Sequence, residues 1–136
     1  MATRFLELQG DDLNVGLVFR AYVPLRVVGE HPKSGMPLAA EFRIFWLDHE
    51  PLLVHRYWAD LVELEAEVPI DELRSMAKAI PSRFFTMDVA ILDDGSWIVV
   101  ELGDAQVSGL PSDAVAPGFY RRLRELLGGT EPGSAP

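Results

Sequence analysis

Two pairs of β-rich runs and two stretches at helical spacing organise the chain. "FFTMDVAI" (84–91) and "WIVVELGD" (97–104) flank Asp94-Gly95, a dipeptide that turns a hairpin when apolar runs stand on both sides. "AEFRIFWLD" (40–48) and "PLLVHRYW" (51–58) form a second pair around "DHE". "PIDELRSMAKAI" (69–80) carries Ile70, Leu73, Ala77 and Ile80 at near-helical spacing behind Pro69, which suits a first helical turn. A last amphipathic helix starts near Pro117 and aligns Phe119, Leu123 and Leu126. "TRFLELQG" (3–10) suits a short helix or an irregular opening segment, and "VGLVFRAYVPL" (15–25) is β-rich up to Pro24. "GEHPKSGMP" (29–37) and "AQVSGLPSD" (105–113) are loops by composition. The pattern predicts an α+β fold, an antiparallel sheet of two hairpins with packed helices. It predicts one domain over residues 1–127 and a disordered tail over 128–136.

The hairpins place charge unusually. A two-residue turn at Asp94-Gly95 sets Asp88 directly opposite Glu101, and opposed like charges destabilise a sheet. A two-residue turn at His49-Glu50 sets Arg43 opposite Arg56. A turn at Asp48-His49 makes the arginines diagonal neighbours on one face, and a three-residue loop breaks the match. Two arrangements relieve the repulsion. Either the four residues form an internal salt-bridge network, or the arginines hold phosphate oxygens while the acids hold Mg²⁺. Asp104, at the end of its strand, adds a third acid, and Gly103 and Gly109 allow a ligand close to the backbone.

Composition narrows the partners. The 136 residues are 49% hydrophobic and 24% charged, which fits a globular domain with a real core. The net charge of −9 argues against general binding to nucleic acid or an anionic membrane. There is no cysteine, which rules out a disulfide framework and thiolate metal sites. Neither a secretory signal nor an apolar run of membrane-spanning length appears, so a cytoplasmic location is expected. His31, His49 and His55 lack metal-ligand spacing and read as surface or packing residues. Trp46, Trp58 and Trp97 read as strand packing, "RRLRELL" as a solvated helix face, and "ELEAEV" as an acidic rim. No serine sits in a nucleophile elbow.

"EFRIFWLDHEPLLVHRYW" followed by "FFTMDVAILDDGSWIVVELGDAQVSGLP" resembles the carboxyl-terminal lobe of an ATP-grasp domain. It is most similar to the clade named for two arginines and a lysine. "GLVFRAYVPL" resembles that family's hinge strand, so the likeness spans roughly residues 5–112. The resemblance implies ATP and Mg²⁺ as cofactors, with Arg43 and Arg56 on the nucleotide phosphates. It also implies Asp88 and Glu101 as metal ligands with Asp104 beside them, Arg20 on the hinge, and backbone groups of Tyr22 and Val23 at adenine. Relatives of this kind activate a carboxylate as an acylphosphate and join it to an amine, releasing ADP. The family clasps ATP between two lobes, and its amino-terminal lobe supplies a phosphate-binding lysine. The chain begins near the hinge-like strand, so the amino-terminal lobe is expected to be missing, and the only lysines, Lys33 and Lys78, have no evident claim to that role. The expected partners are therefore a nucleotide, and a complementary amino-terminal lobe or a second copy of the chain. Without them the chain is expected to be inactive. The alternative is a non-catalytic interaction module, or a truncated remnant, that keeps the fold.

Overall fold

The computed structural model describes residues 20–110 and 115–128. The segment 3–10, the start of the β-rich run 15–25, part of the loop 105–113 and the tail beyond residue 128 lie outside them. The elements are β1 (Val27–Glu30), β2 (Pro37–Ala39), β3 (Glu41–Leu47), β4 (Glu50–Arg56), α1 (Ile70–Ala77), β5 (Phe84–Ile91), β6 (Trp97–Asp104) and α2 (Ala116–Leu126). The fold is α+β, as the pattern predicts. Strands β3 to β6 form one antiparallel sheet in the order β4-β3-β5-β6, and β1 pairs with β2.

Strand alternation divides the sheet into two faces. One carries Phe42, Ile44 and Trp46 from β3 with Phe85, Met87, Val89 and Ile91 from β5, and packs on Leu73 and Ala77 of α1. The spacing of those two α1 residues puts both on the stripe that faces the sheet. Each large side chain buried here contributes roughly 1.5–3 kcal/mol. Among the described residues the opposite face is covered only in part. Phe45, Leu52 and Ala105 meet Phe119 of α2, with the Phe45 and Phe119 rings 5.0 Å apart and edge-on. Leu123 joins this cluster, whereas Leu126 stays half exposed. Arg43, Thr86 and Asp88 also stand on that face.

Two segments depart from the sequence reading. The Gly/Pro-rich run 29–37 turns at its centre, where Gly35 is left-handed at φ +66°, but its ends belong to β1 and β2. Residues 20–25, expected as part of a hinge strand, belong to none of these strands; Leu25 bridges Leu92, and the following Arg26 donates its N–H to Ile91 O and accepts from Ala40. Pro24 has no N–H to donate; its carbonyl accepts from Asp93 instead. Among the described residues no helix is long and apolar enough to cross a membrane.

Candidate functional site

A single row of side chains crosses the polar face. His55 on β4 is the partner of Arg43 on β3, Arg43 of Asp88 on β5, and Asp88 of Glu101 on β6. Paired residues of antiparallel strands point to the same side, so an imidazole, a guanidinium and two carboxylates lie in sequence.

The pairing of Asp88 with Glu101 arises from two departures that cancel. The β5–β6 loop has three residues rather than two, closed by the Gly95 N–H to Leu92 O and the Leu92 N–H to Ser96 O bonds. Gly95 takes φ +88°, as the last residue of such a loop requires. That loop alone would set the register one residue off. A bulge between Asp88 and Val89 restores it, and Val100 is the extra residue.

The other hairpin ends differently. Asp48 and His49 form its two-residue turn, both at positive φ, 50° and 65°, the requirement of a type I′ turn. Asp tolerates such a position, whereas histidine is a weaker choice for it, and tertiary contacts brace the shape. Arg83 forks onto the Asp48 carboxylate and holds that carboxyl below its usual range, while the His49 ring lies 3.0 Å from the Ile80 carbonyl. A bulge between Phe45 and Trp46 then shifts the register, and Arg56 becomes the partner of Phe42. The expected arginine pair is thereby undone, because a one-residue slip turns every following side chain over. Arg56 lies on the α1 side, with Nη1 3.5 Å from the Leu64 carbonyl.

Arg43 is held on several sides. Its Nε and Nη2 donate to the two oxygens of Asp88 at 2.9 and 2.8 Å, a bidentate fork. The guanidinium stands 5.2 Å over the Tyr57 ring, within cation–π range. Nη1 makes a long 3.4 Å contact to Gly109 O. The Asp88 hydrogen bonds raise the Arg43 pKa further above its ordinary value, against the opposing effect of burial. Nearby Glu41 has its carboxyl pKa raised by burial, a shift that the Trp58 indole offsets and the Asp88 charge reinforces. Asp88 is 8% exposed, while Glu101 is open to solvent.

A loop roofs part of this face. The Ser108 hydroxyl donates to Asp104 O and accepts from the Thr86 hydroxyl across 3.0 Å. Gly103 lies beneath: a Cβ there would stand 2.7 Å from Thr86 Oγ1. Asp104 itself does not join the acids. It pairs with Phe85, a residue of the α1-side core, because a residue three beyond Glu101 falls on the other face of a strand. Its carboxylate instead accepts the Gln106 N–H. Among the described residues no group of three His, Cys, Asp or Glu side chains could hold a metal.

Beside β6 lies a cavity of about 650 Å³ lined by Arg20, Tyr22, Val23, Leu25, Val27 and the run Ile98 to Val100, among others. Its walls are mostly apolar side chains. Arg20 donates to Val100 O, fastening the 20–26 segment to the bulge residue, and Tyr22 is 91% exposed at the rim. Of the residues singled out from the sequence, Arg20, Tyr22 and Val23 line this cavity, and Arg43, Asp88 and Glu101 stand in the row across the sheet; the sequence does not mark two other features. It misses His55, which only the actual register brings beside Arg43, and the Thr86–Ser108 clasp, which links two separate segments.

The antiparallel lobe, with an apolar cleft beside acidic strand residues, is consistent with the carboxyl-terminal subdomain of an ATP-grasp fold. The profile of the ATP-grasp domain, family 3 of the clade named for two arginines and a lysine, matches residues 1–123, and the chain belongs to that family. No curated protein and no solved structure matches.

Proposed function

We propose that this chain forms one wall of an ATP and Mg²⁺ site for an ADP-forming carboxylate–amine ligation. The adenine lies in the apolar cavity against Val23 and Ile98, with Arg20 and Tyr22 at its edge. The phosphates run along β6 toward Glu101 and Asp88. The observation that carries the reading is continuity: the cavity is lined as far as Val100, and Glu101 of the acid row is the next residue.

The donor set fits Mg²⁺, which takes oxygen ligands and is commonly held by one or two carboxylates plus substrate phosphates and water. Asp88 and Glu101 would hold it, and the ion would neutralise charge on the transferring phosphoryl group. Arg43 fixes the Asp88 carboxylate and presents positive charge to the phosphates. Arg56 and Asp104, on the other face, have no part in this arrangement. A complementary amino-terminal lobe, or a second copy of this chain, covers the exposed side and removes water before reaction.

Calorimetry with Mg²⁺ and a non-hydrolysable ATP analogue tests the reading. Affinity in roughly the high-micromolar range or weaker is expected for one open wall, with a loss of about tenfold in Glu101→Gln. Heat that is absent with and without a complementary lobe would overturn it. One observation favours a second reading: both Asp88 oxygens are already engaged by Arg43, as in a structural network of a non-catalytic interaction module. Absence of nucleotide binding favours that module.

A further inference from the structure

We propose that the outer edge of β4 docks an extended segment of another protein, which adds a strand to the sheet and carries an acidic residue before an aliphatic and a basic one. This edge lies at the end of the sheet opposite to β6 and the apolar cavity beside it.

Free backbone groups are the first argument. β4 is an edge strand and pairs only with β3. The Tyr57 N–H donates to Glu41 O, so the backbone of residue 57 is turned inward. Backbone direction alternates along an antiparallel strand, which points the N–H and C=O of Arg56 and Val54 away from β3. No other backbone segment among the described residues bonds them. Two donors and two acceptors in line are a template for a further strand. Pro51 has no N–H and Leu52 is a bulge, so the template stops there.

A groove beside the edge sets what fits. Val54 and Arg56 form one wall, and Ala66, Val68 and Ile70 the other, around a volume of about 500 Å³. A wall on both sides admits one extended strand, whereas a second folded sheet would meet the segment 66–70. That segment runs antiparallel to β4: Arg56 reaches Leu64 O at one end, and Glu50 reaches Arg74 at the other. The groove shares Glu67, Val68 and Ile70 with a second one of about 450 Å³ that continues to Asp71 and Glu72.

Charge gives the guest its polarity. Arg56 enters no ion pair among the described residues, and its contact to Leu64 O is long at 3.5 Å. Its open N–H groups suit a carboxylate. Farther along the groove Asp71 is taken by Arg74, while Glu67 and Glu72 are exposed and suit a cation. Between the two ends Val54, 40% exposed, faces Val68 and Ile70 and suits an aliphatic side chain. Antiparallel pairing is the more stable and sets the amino-terminal end of the guest beside Arg56. The guest therefore reads acid, aliphatic, base, along a strand no longer than the seven residues of β4.

The test is a selection of short random peptides displayed on phage against the full chain, with Arg56→Glu as the counter-target. The consensus peptide is then titrated by calorimetry and by NMR. An acid–aliphatic–base order is expected in the selected sequences, with the Val54 and Arg56 amide resonances shifting on binding. Arg56→Glu should weaken the consensus peptide roughly tenfold, and exchange of its acid for lysine should restore affinity to that variant. N-methylation of the peptide residue opposite Val54 should cost roughly fivefold on unaltered protein, an outcome independent of how any variant folds. Selected sequences without the charge order, equal binding to Arg56→Glu, or indifference to N-methylation each overturn the proposal. So does concentration-dependent self-association of the chain that shifts the same amides, because the edge then belongs to a second copy.

Discussion

The β3–β4 and β5–β6 hairpins share a sheet, a bulge each and a pair of like charges, yet only one keeps its pair together. In β5–β6 the bulge at Val100 cancels the extra residue of a three-residue loop, and Asp88 stays opposite Glu101. In β3–β4 a two-residue turn needs no correction, so the bulge at Leu52 introduces a shift, and Arg56 leaves the face of Arg43. A bulge therefore has no fixed effect on a site; its parity together with that of the turn decides. The result separates charges of equal sign on one side and pairs opposite ones in the middle. Arg43 neutralises Asp88, and Glu101 is left exposed to solvent.

The largest expected effect breaks that central pair. Asp88→Asn should lower stability by about 2 kcal/mol, since a charge-assisted fork is lost and Arg43 is left half-buried without its counterion. Glu101→Gln, its partner on the exposed strand, should change stability by less than about 0.5 kcal/mol. Chemical denaturation of both variants measures the contrast, and equal costs would contradict it. In melts with and without Mg²⁺, only the wild-type protein and not Glu101→Gln should gain stability from the cation.

The next effect sharpens the comparison between arginines. Arg43→Gln should weaken binding of Mg²⁺ with an ATP analogue roughly tenfold, the worth of one charge-assisted contact. Arg56→Gln should leave it within about twofold. Comparable losses in calorimetry would mean that the bulge in β3–β4 does not remove Arg56 from the nucleotide.

The turns come third. Gly95→Ala should cost about 1 kcal/mol, because φ +88° is unfavourable for any residue with a Cβ. His49→Gly should change stability by less than about 0.5 kcal/mol: relief at φ 65° is offset by the lost contact to Ile80 O. Thermal melts of the pair distinguish a turn held by its own residue from one held by its neighbours.

The smallest effect concerns pH. Glu41 has a raised folded pKa, so the folded state binds its proton more tightly than the unfolded chain does. Its contribution is favourable below the ordinary value of 4.5 and is lost as pH rises through the folded pKa. Glu41→Gln should accordingly raise the melting temperature slightly at pH 7 and leave it unchanged near pH 4. A gain of equal size at both pH values would remove burial of the charge as the cause.

What the sequence revealed depended on the range of the interaction. β-Rich runs marked all four strands of the sheet, and Asp94-Gly95 located the second hairpin, because both signals are local. Asp88 opposite Glu101 was legible, although the loop length behind it was not. Arg56 was misplaced because nothing local marks Leu52 as a bulge, and the turn at Asp48-His49 relies on Arg83 and Ile80 from far along the chain. Asp104 was misread through proximity in sequence, although strand parity alone could have excluded it. His55 and Tyr57 acquire meaning only once the β4 register is known.

Gly103 gives the loop above the sheet its height. A Cβ at this position would stand 2.7 Å from Thr86 Oγ1 and 3.3 Å from Ser108 Oγ, wedged between the hydroxyls that clasp strand to loop. The clearance under residues 105–110 is thus gauged by a missing methyl group. Because the same loop carries the Gly109 carbonyl to Arg43, even an alanine at residue 103 would act as a shim, lifting that carbonyl from the guanidinium without touching either.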